Sequence, residues 1–463
     1  MTRQLAIIAL LLGVCTAAHA QALVDLSTVA PPGTAGSLSI SSFDPTDATS
    51  PISVVEGKGW KVGEGTVIHP TFGVSTGFDS NVFYENSNTQ AAGVMRLIGQ
   101  VAAGSLSIQR LHPGEDPMAG GMGDAKPDRA VDQDEGMFQY WASARLTYDQ
   151  MLSGNDTVNQ TGGLGAGILL RGLINPQGNW SGGLDENFAR MIRAASFETS
   201  QNMNRDVNTA RVALYYHPHE HSLGGYLYYH NTIDVIENNA NMYPDRMFHR
   251  FGVHPEWVLL PVTKLYGDLS IGAVTGIGNS APSAMKPTAY PLLARIGIAT
   301  LLNLRTTVNV AAGYTNGFYS AGPSYSAASV DSMIAFRYSA LGRVGAGYSL
   351  DYEDSLNANY YRDHVIRGFI SQDFAPFVAL VSPELHFRQY QGLYVAGNSP
   401  VRDDTIVAVV AGIHYVYRDW LAAVLDYRFS TVDTAFRYTD AMGQVINPSY
   451  TRHELLLGIR LAI

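Results

Sequence analysis

Three short stretches hold the residues best suited to chemistry. In 217–221, HPHEH, His217, His219 and His221 alternate around Glu220. Alternate residues of a strand point one way, so imidazoles at this spacing could bind a divalent metal. The stretch reads as a short turn in which Pro218 distorts the spacing, and a solvated turn without metal is the better reading. Residues 112–136, HPGEDPMAGGMGDAKPDRAVDQDEG, carry seven carboxylates and two basic residues. Asp132, Asp134 and Glu135 are spaced closely enough for a calcium loop. The Gly and Pro content favours a disordered acidic loop instead, with a docking segment for a partner as a further reading. In 162–167, GGLGAG lacks the G-x-G-x-x-G spacing and opens no helix. Its glycines read as room in a strand. None of the G-x-S-x-G, H-E-x-x-H or H-x-E…C-x-x-C patterns occurs. The sequence therefore reads as a non-enzyme with no cofactor and no metal site.

The elements carrying these residues begin behind an export signal. MTRQLAIIALLLGVCTAAHA has a basic residue, an apolar core from Leu5 to Val14, and Ala18-His19-Ala20 before the expected cleavage. That core falls short of the ~20 residues a spanning helix needs. Cleavage removes Cys15, the only cysteine, so no disulfide framework is available. It also removes Arg3, taking the net charge from −10 to −11, a balance that argues against a nucleic-acid partner. Charged residues make up 15% of the chain, below the ~25% of a soluble protein. Much of the exterior should face lipid.

Residues 21–65 read as an extended or disordered periplasmic leader rich in Pro, Ser, Thr and Gly. From Thr66 apolar and polar residues alternate between turn signals, in about 18 segments. From the sixth segment, tight connections such as "LP" and "RD" alternate with long ones such as "QGLYVAGNSPVRD" and "DTAFRYTDAMGQVINPS". The prediction is an all-β chain. Residues 66–463 form a single closed antiparallel transmembrane β-barrel, with short periplasmic turns and long extracellular loops. The acidic loop at 111–135 falls on the periplasmic side. Lipid and the barrel-assembly machinery are the implied partners, in the outer membrane of a Gram-negative bacterium.

Parity sorts side chains between lumen and lipid. Asp351 and Glu353 oppose Tyr348 and Tyr352. Glu384, His386 and Arg388 oppose Phe387. His414 opposes Tyr415 and Tyr417. Asp426 and Arg428 oppose Tyr427 and Phe429. In the last segment Glu454 and Arg460 oppose Leu457, Ile459, Leu461 and Ile463. The charged set is the candidate lumen lining and the apolar set the candidate lipid face. Aromatics near strand ends suit interface girdles.

Four stretches resemble one family. HPTFGVSTGFDSNVFYE, with Asp79, Asn81, Val82 and Phe83 in its turn, resembles the opening of outer-membrane barrels of the beta-barrel porin 2 type. EGKGWKVGEGTVIHP, DENFARMIR with NRDVNTARVALYYHP, and PEWVLLPVTKLYGDLSIG are similar to myxobacterial members, including polysaccharide-export barrels. The chain departs from many such barrels in ending on Ile463, not on an aromatic. The resemblance implies a passive conduit for a secreted polysaccharide, served by a periplasmic export protein. The alternatives are a general or substrate-specific diffusion porin and a structural or adhesive surface barrel.

Overall fold

The computed structural model describes residues 57–63, 65–105, 137–175, 178–194, 197–198, 203–218, 222–237, 243–278, 280–339, 341–395, 397–439 and 443–463. The signal segment, most of the leader, the acidic loop, and His219, Glu220 and His221 of HPHEH lie outside these residues.

Eighteen strands make the barrel wall: β1 Thr66–Asp79, β2 Ala92–Gly104, β3 Phe138–Leu152, β4 Gly163–Ile174, β5 Trp180–Ala194, β6 Met203–Tyr216, β7 Leu223–Glu237, β8 Arg246–Leu260 and β9 Thr263–Gly276. The wall continues through β10 Leu292–Asn303, β11 Thr306–Asn316, β12 Ser326–Ser339, β13 Gly342–Asp354, β14 Ala358–Phe374, β15 Phe377–Leu393, β16 Arg402–Arg418, β17 Leu421–Thr434 and β18 Tyr450–Ala462. Each strand pairs antiparallel with its sequence neighbours. β18 pairs with β1 from Thr71↔Ala462 to Asp79↔Glu454, closing the ring. Closure leaves no open sheet edge, which is the condition for a sheet in lipid. No helix among the described residues is long and apolar enough to cross a membrane, which says nothing against crossing by strands.

The connections fall into two classes. β8–β9 turns on Pro261 and Val262, β14–β15 on Ala375 and Pro376, and β16–β17 on Asp419 and Trp420. At the other edge, loops such as 277–291 and 435–449 include the short helix α1, Ala281–Met285. The long-loop edge is extracellular by the rule for such barrels.

Outside, an aliphatic belt runs between two aromatic rings. Leu184, Ile271, Ile296, Ile366 and Leu457 belong to the belt and are exposed. At the tight edge Trp180 packs on Tyr216 at 4.6 Å, and Phe377 packs on Phe374 at 5.6 Å and on Tyr415 at 5.0 Å. Toward the long-loop edge one geometry recurs on four hairpins. Tyr229, Tyr314, Tyr348 and Tyr427 hydrogen-bond His249, Ser326, His364 and His453 at 2.7–2.9 Å. Each partner lies on the next strand, two residues from the tyrosine's register mate. A ring with an apolar body and a satisfied hydroxyl suits the headgroup boundary.

Candidate functional site

Inward-facing residues converge at the extracellular end of the lumen. The turn after β1 is set by its own polar residues. The Asn81 backbone N–H donates to Asp79 Oδ1 at 3.1 Å, and the Asn81 amide donates to the carbonyls of Glu85 at 2.8 Å and Thr451 at 3.0 Å. Tyr84 adopts φ 56°, a left-handed conformation, and its fully buried ring meets Tyr450 edge-on at 5.1 Å. Sequence reasoning saw this stretch only as a turn into the first loop; the structure folds it into the mouth.

The end of β5 is diverted in the same way. Its register with β6 shifts between Met191 and Ala194, and Arg193 has φ 54°. A bulge with a left-handed residue turns the chain off the wall. Fully buried Arg193 donates to Asp79 Oδ2 and Asp149 Oδ2, each at 3.0 Å. Asp79 also receives Arg452, and Asp149 receives Arg96. Three arginines thus tie two carboxylates from β1 and β3 to β2, β5 and β18.

Beyond Arg193 the segment reaches the other side of the ring. Phe197 packs with Ile406, Ala408, Val432 and Tyr450. Glu198 Oε2 accepts from Ser355 Oγ at 2.6 Å and from the Leu356 N–H at 2.8 Å. Arg402 donates to the Glu198 carbonyl at 2.7 Å. Leu356, from the β13–β14 loop, packs into an apolar cluster with Met191, Met203 and Ile236. β5 and β14 lie nine strands apart in a ring of eighteen, so their loops meet across the mouth. Nothing in the sequence pattern announced this, because each contact joins distant parts of the chain.

A second ionic network lies beside it. Asp234 accepts from Arg205 and from Arg246, and Arg246 also holds Asp354 at 2.8 Å. Lys286, at the C-cap of α1, reaches Asp354 at 3.0 Å and the Ser355 carbonyl at 3.2 Å. Burial holds the Lys286 ammonium below its ordinary value of 10.5, against the opposing pull of Asp354.

The inward candidates take the following places. Asp351 meets Arg295, while Glu353 lines a cleft between β8 and β13. His386 bridges Asp363 at 3.0 Å and Glu384 at 3.3 Å, and Arg388 holds Asp363 at 2.7 Å. His414 contacts Asp426 at 3.2 Å. Glu454 lies 3.4 Å from Arg452 and 3.6 Å from Arg96, and Arg460 donates to Ser75 Oγ at 2.9 Å. Arg428 pairs in register with Glu454.

The outward candidates are Phe387, Tyr415, Tyr417, Leu457, Ile459, Leu461 and Ile463, all exposed. Tyr348 and Tyr427 are the hydrogen-bonded rings described above, and Phe429 packs on His453 at 5.0 Å. Tyr352 differs from the lipid-facing prediction. β12 pairs with β13 only as far as Leu350, and the β11–β12 loop enters the gap. The Tyr352 ring stacks on buried Tyr325 at 4.8 Å and not on lipid. Among the described residues no group of three His, Cys, Asp or Glu is placed to hold a metal.

No family model and no curated protein matches the chain. Among solved structures it is similar to OccK2 (OpdF) of Pseudomonas aeruginosa, at 10% identity, covering 86% of this chain and 98% of that one, with TM-score 0.43. It is similar to OccAB4 of Acinetobacter baumannii at 11% identity, with the same coverages and TM-score 0.43. It is also similar to the siderophore receptor PirA of P. aeruginosa at 7% identity, covering 86% and 80%, with TM-score 0.39. The barrel assignment stands on its own hydrogen-bonded ladder, closed between β1 and β18.

Proposed function

We propose that this chain is an outer-membrane diffusion channel for small solutes. The observation that carries the reading is the crossed mouth. Arg193, Phe197 and Glu198 bring one wall's loop against the opposite wall through buried ion pairs and apolar packing. An extended glycan passing outward needs an unobstructed conduit, and all these contacts would have to separate to make one. Small solutes need only the gaps between such loops. Diffusion is therefore favoured over the polysaccharide conduit that the sequence resemblance implies. The apolar belt and two aromatic rings support the membrane setting.

Liposome swelling with purified full-length protein tests this. Small sugars should enter at a rate proportional to protein, and long oligosaccharides should not. Exclusion of small sugars by correctly assembled protein would overturn the diffusion reading. Loss of one secreted glycan in a deletion strain would restore the export conduit.

A further inference from the structure

An arginine on the outer wall stands without a counter-ion. On β14, Arg362 and His364 alternate with inward Asp363 and share the outward face of exposed Ile366. Arg362 makes no ion pair or hydrogen bond among the described residues, and its Nε is buried without a partner. Its register mates are Tyr352, which stacks on Tyr325 at 4.8 Å, and Gln389, which donates to Asp403 Oδ1 at 2.8 Å. Neither supplies a negative charge. A guanidinium stays charged at any ordinary pH, and a buried orphaned donor calls for a partner.

The height of this arginine is set by the residue below it. His364 is one of three histidines whose Nδ1 meets a tyrosine hydroxyl in the upper aromatic ring, here Tyr348 at 2.9 Å. At the equivalent pair on β7 and β8 the Asn231 amide, a donor, also reaches His249 Nδ1 at 3.2 Å, which makes that nitrogen an acceptor. The same arrangement at His364 puts the proton on Nε2, which has no partner among the described residues. Rings of this kind mark the boundary between acyl chains and headgroups. Beside and below His364, Phe387 and Ile366 are each 48% exposed. Arg362 stands two residues nearer the long loops, roughly 7 Å along the strand. At the other two Tyr–His pairs the residues in that place are Met247 and Thr451, which carry no charge. A cation and a ring N–H just above an apolar surface match a phosphate carried on acyl chains.

We infer that Arg362 and His364 form a binding site for one phosphorylated lipid of the outer leaflet. The guanidinium and the His364 Nε2–H hold the phosphate, and the acyl chains lie over Phe387 and Ile366. The site is outside the lumen, so it goes beyond the diffusion reading and stands whatever passes through the barrel.

The test is calorimetric titration of the full-length, delipidated barrel in detergent. The probes are short-chain phosphatidic acid, the diacylglycerol with the same chains, and inorganic phosphate. Phosphatidic acid should bind, and the other two should each bind at least about ten-fold more weakly. Diacylglycerol lacks the charge-assisted hydrogen bonds, and inorganic phosphate lacks the acyl contacts. R362Q and H364Q should each weaken phosphatidic acid by about ten-fold or more while the barrel keeps its heat-modifiable mobility. H453Q, at a pair without an arginine, should leave that affinity unchanged. Equal binding of phosphatidic acid and diacylglycerol by the native protein overturns the site whether or not the variants assemble. Inorganic phosphate binding as tightly as phosphatidic acid overturns the lipid assignment. Native affinity in a folded R362Q/H364Q protein, or an equal loss in H453Q, overturns the assignment to these two residues.

Discussion

Replacing Arg193 by Gln removes the tie that the rest of the mouth depends on. The native side chain makes two charge-assisted hydrogen bonds, each at 3.0 Å, to carboxylates on two strands. Such bonds are worth about 1.5–3 kcal/mol each in net terms. Breaking a buried pair outright costs about 3–5 kcal/mol when it strands a charge. Here neither carboxylate is stranded. Asp79 keeps Arg452 at 2.8 Å, and Asp149 keeps Arg96 at 2.6 Å. The loss should therefore fall near the lower bound, about 3 kcal/mol, or roughly a hundred-fold in the balance between a tied and a released mouth. Since β18 closes on β1 by its own ladder, the wall should survive. Single-channel recording in planar bilayers should show R193Q with larger or more frequent open levels than the native protein. Protease should cut near Phe197 sooner. A heat-modifiable R193Q barrel with native conductance and native protease resistance would refute the argument that this ion pair holds the mouth.

Two further perturbations test other parts of the wall. Arg placed at Leu457 or Ile459, both outward and exposed, should cost about 2–4 kcal/mol near the bilayer midplane and lower the yield of assembled barrel in membrane fractions. Lys286→Met should leave thermal stability unchanged or raise it near neutral pH, because burial disfavours the ammonium and Asp354 retains Arg246. The folded-state value of Lys286 lies below 10.5, so the unfolded chain binds more protons between the two values. Native stability relative to K286M should therefore rise as pH climbs toward 10.5, read by melting at matched pH. A gap that widens against the native protein with rising pH would contradict this.

The wall was legible because period two needs no long-range knowledge. From Thr66 onward the alternation and the unequal turns implied eighteen antiparallel strands, and the ladder shows eighteen. Loops at the mouth were not legible. Arg193 contacts Asp79 across 114 residues, and Glu198 contacts Leu356 across 158. Left-handed backbone at Arg193 and Tyr84 is carried by residues that do not advertise it. The Tyr352 misreading has the same root. Its parity is visible in the sequence, but the gap between β12 and β13 depends on where their pairing stops. Parity alone could have put Arg211, His230 and Arg250 in the lumen. Their adjacency needed the register of three strands, which hydrophobic pattern does not specify.

The pairing state of the lumenal charges divides them by role. Where a carboxylate sits between two arginines, as Asp79 and Asp234 do, it ties separate segments of the mouth together. Such groups hold shape, and a passing solute could compete with them only by dismantling the mouth. Arg211 Nε and Nη1 and Arg250 Nε have no hydrogen-bond partner among the described residues, and both guanidinium groups lie against aromatic rings.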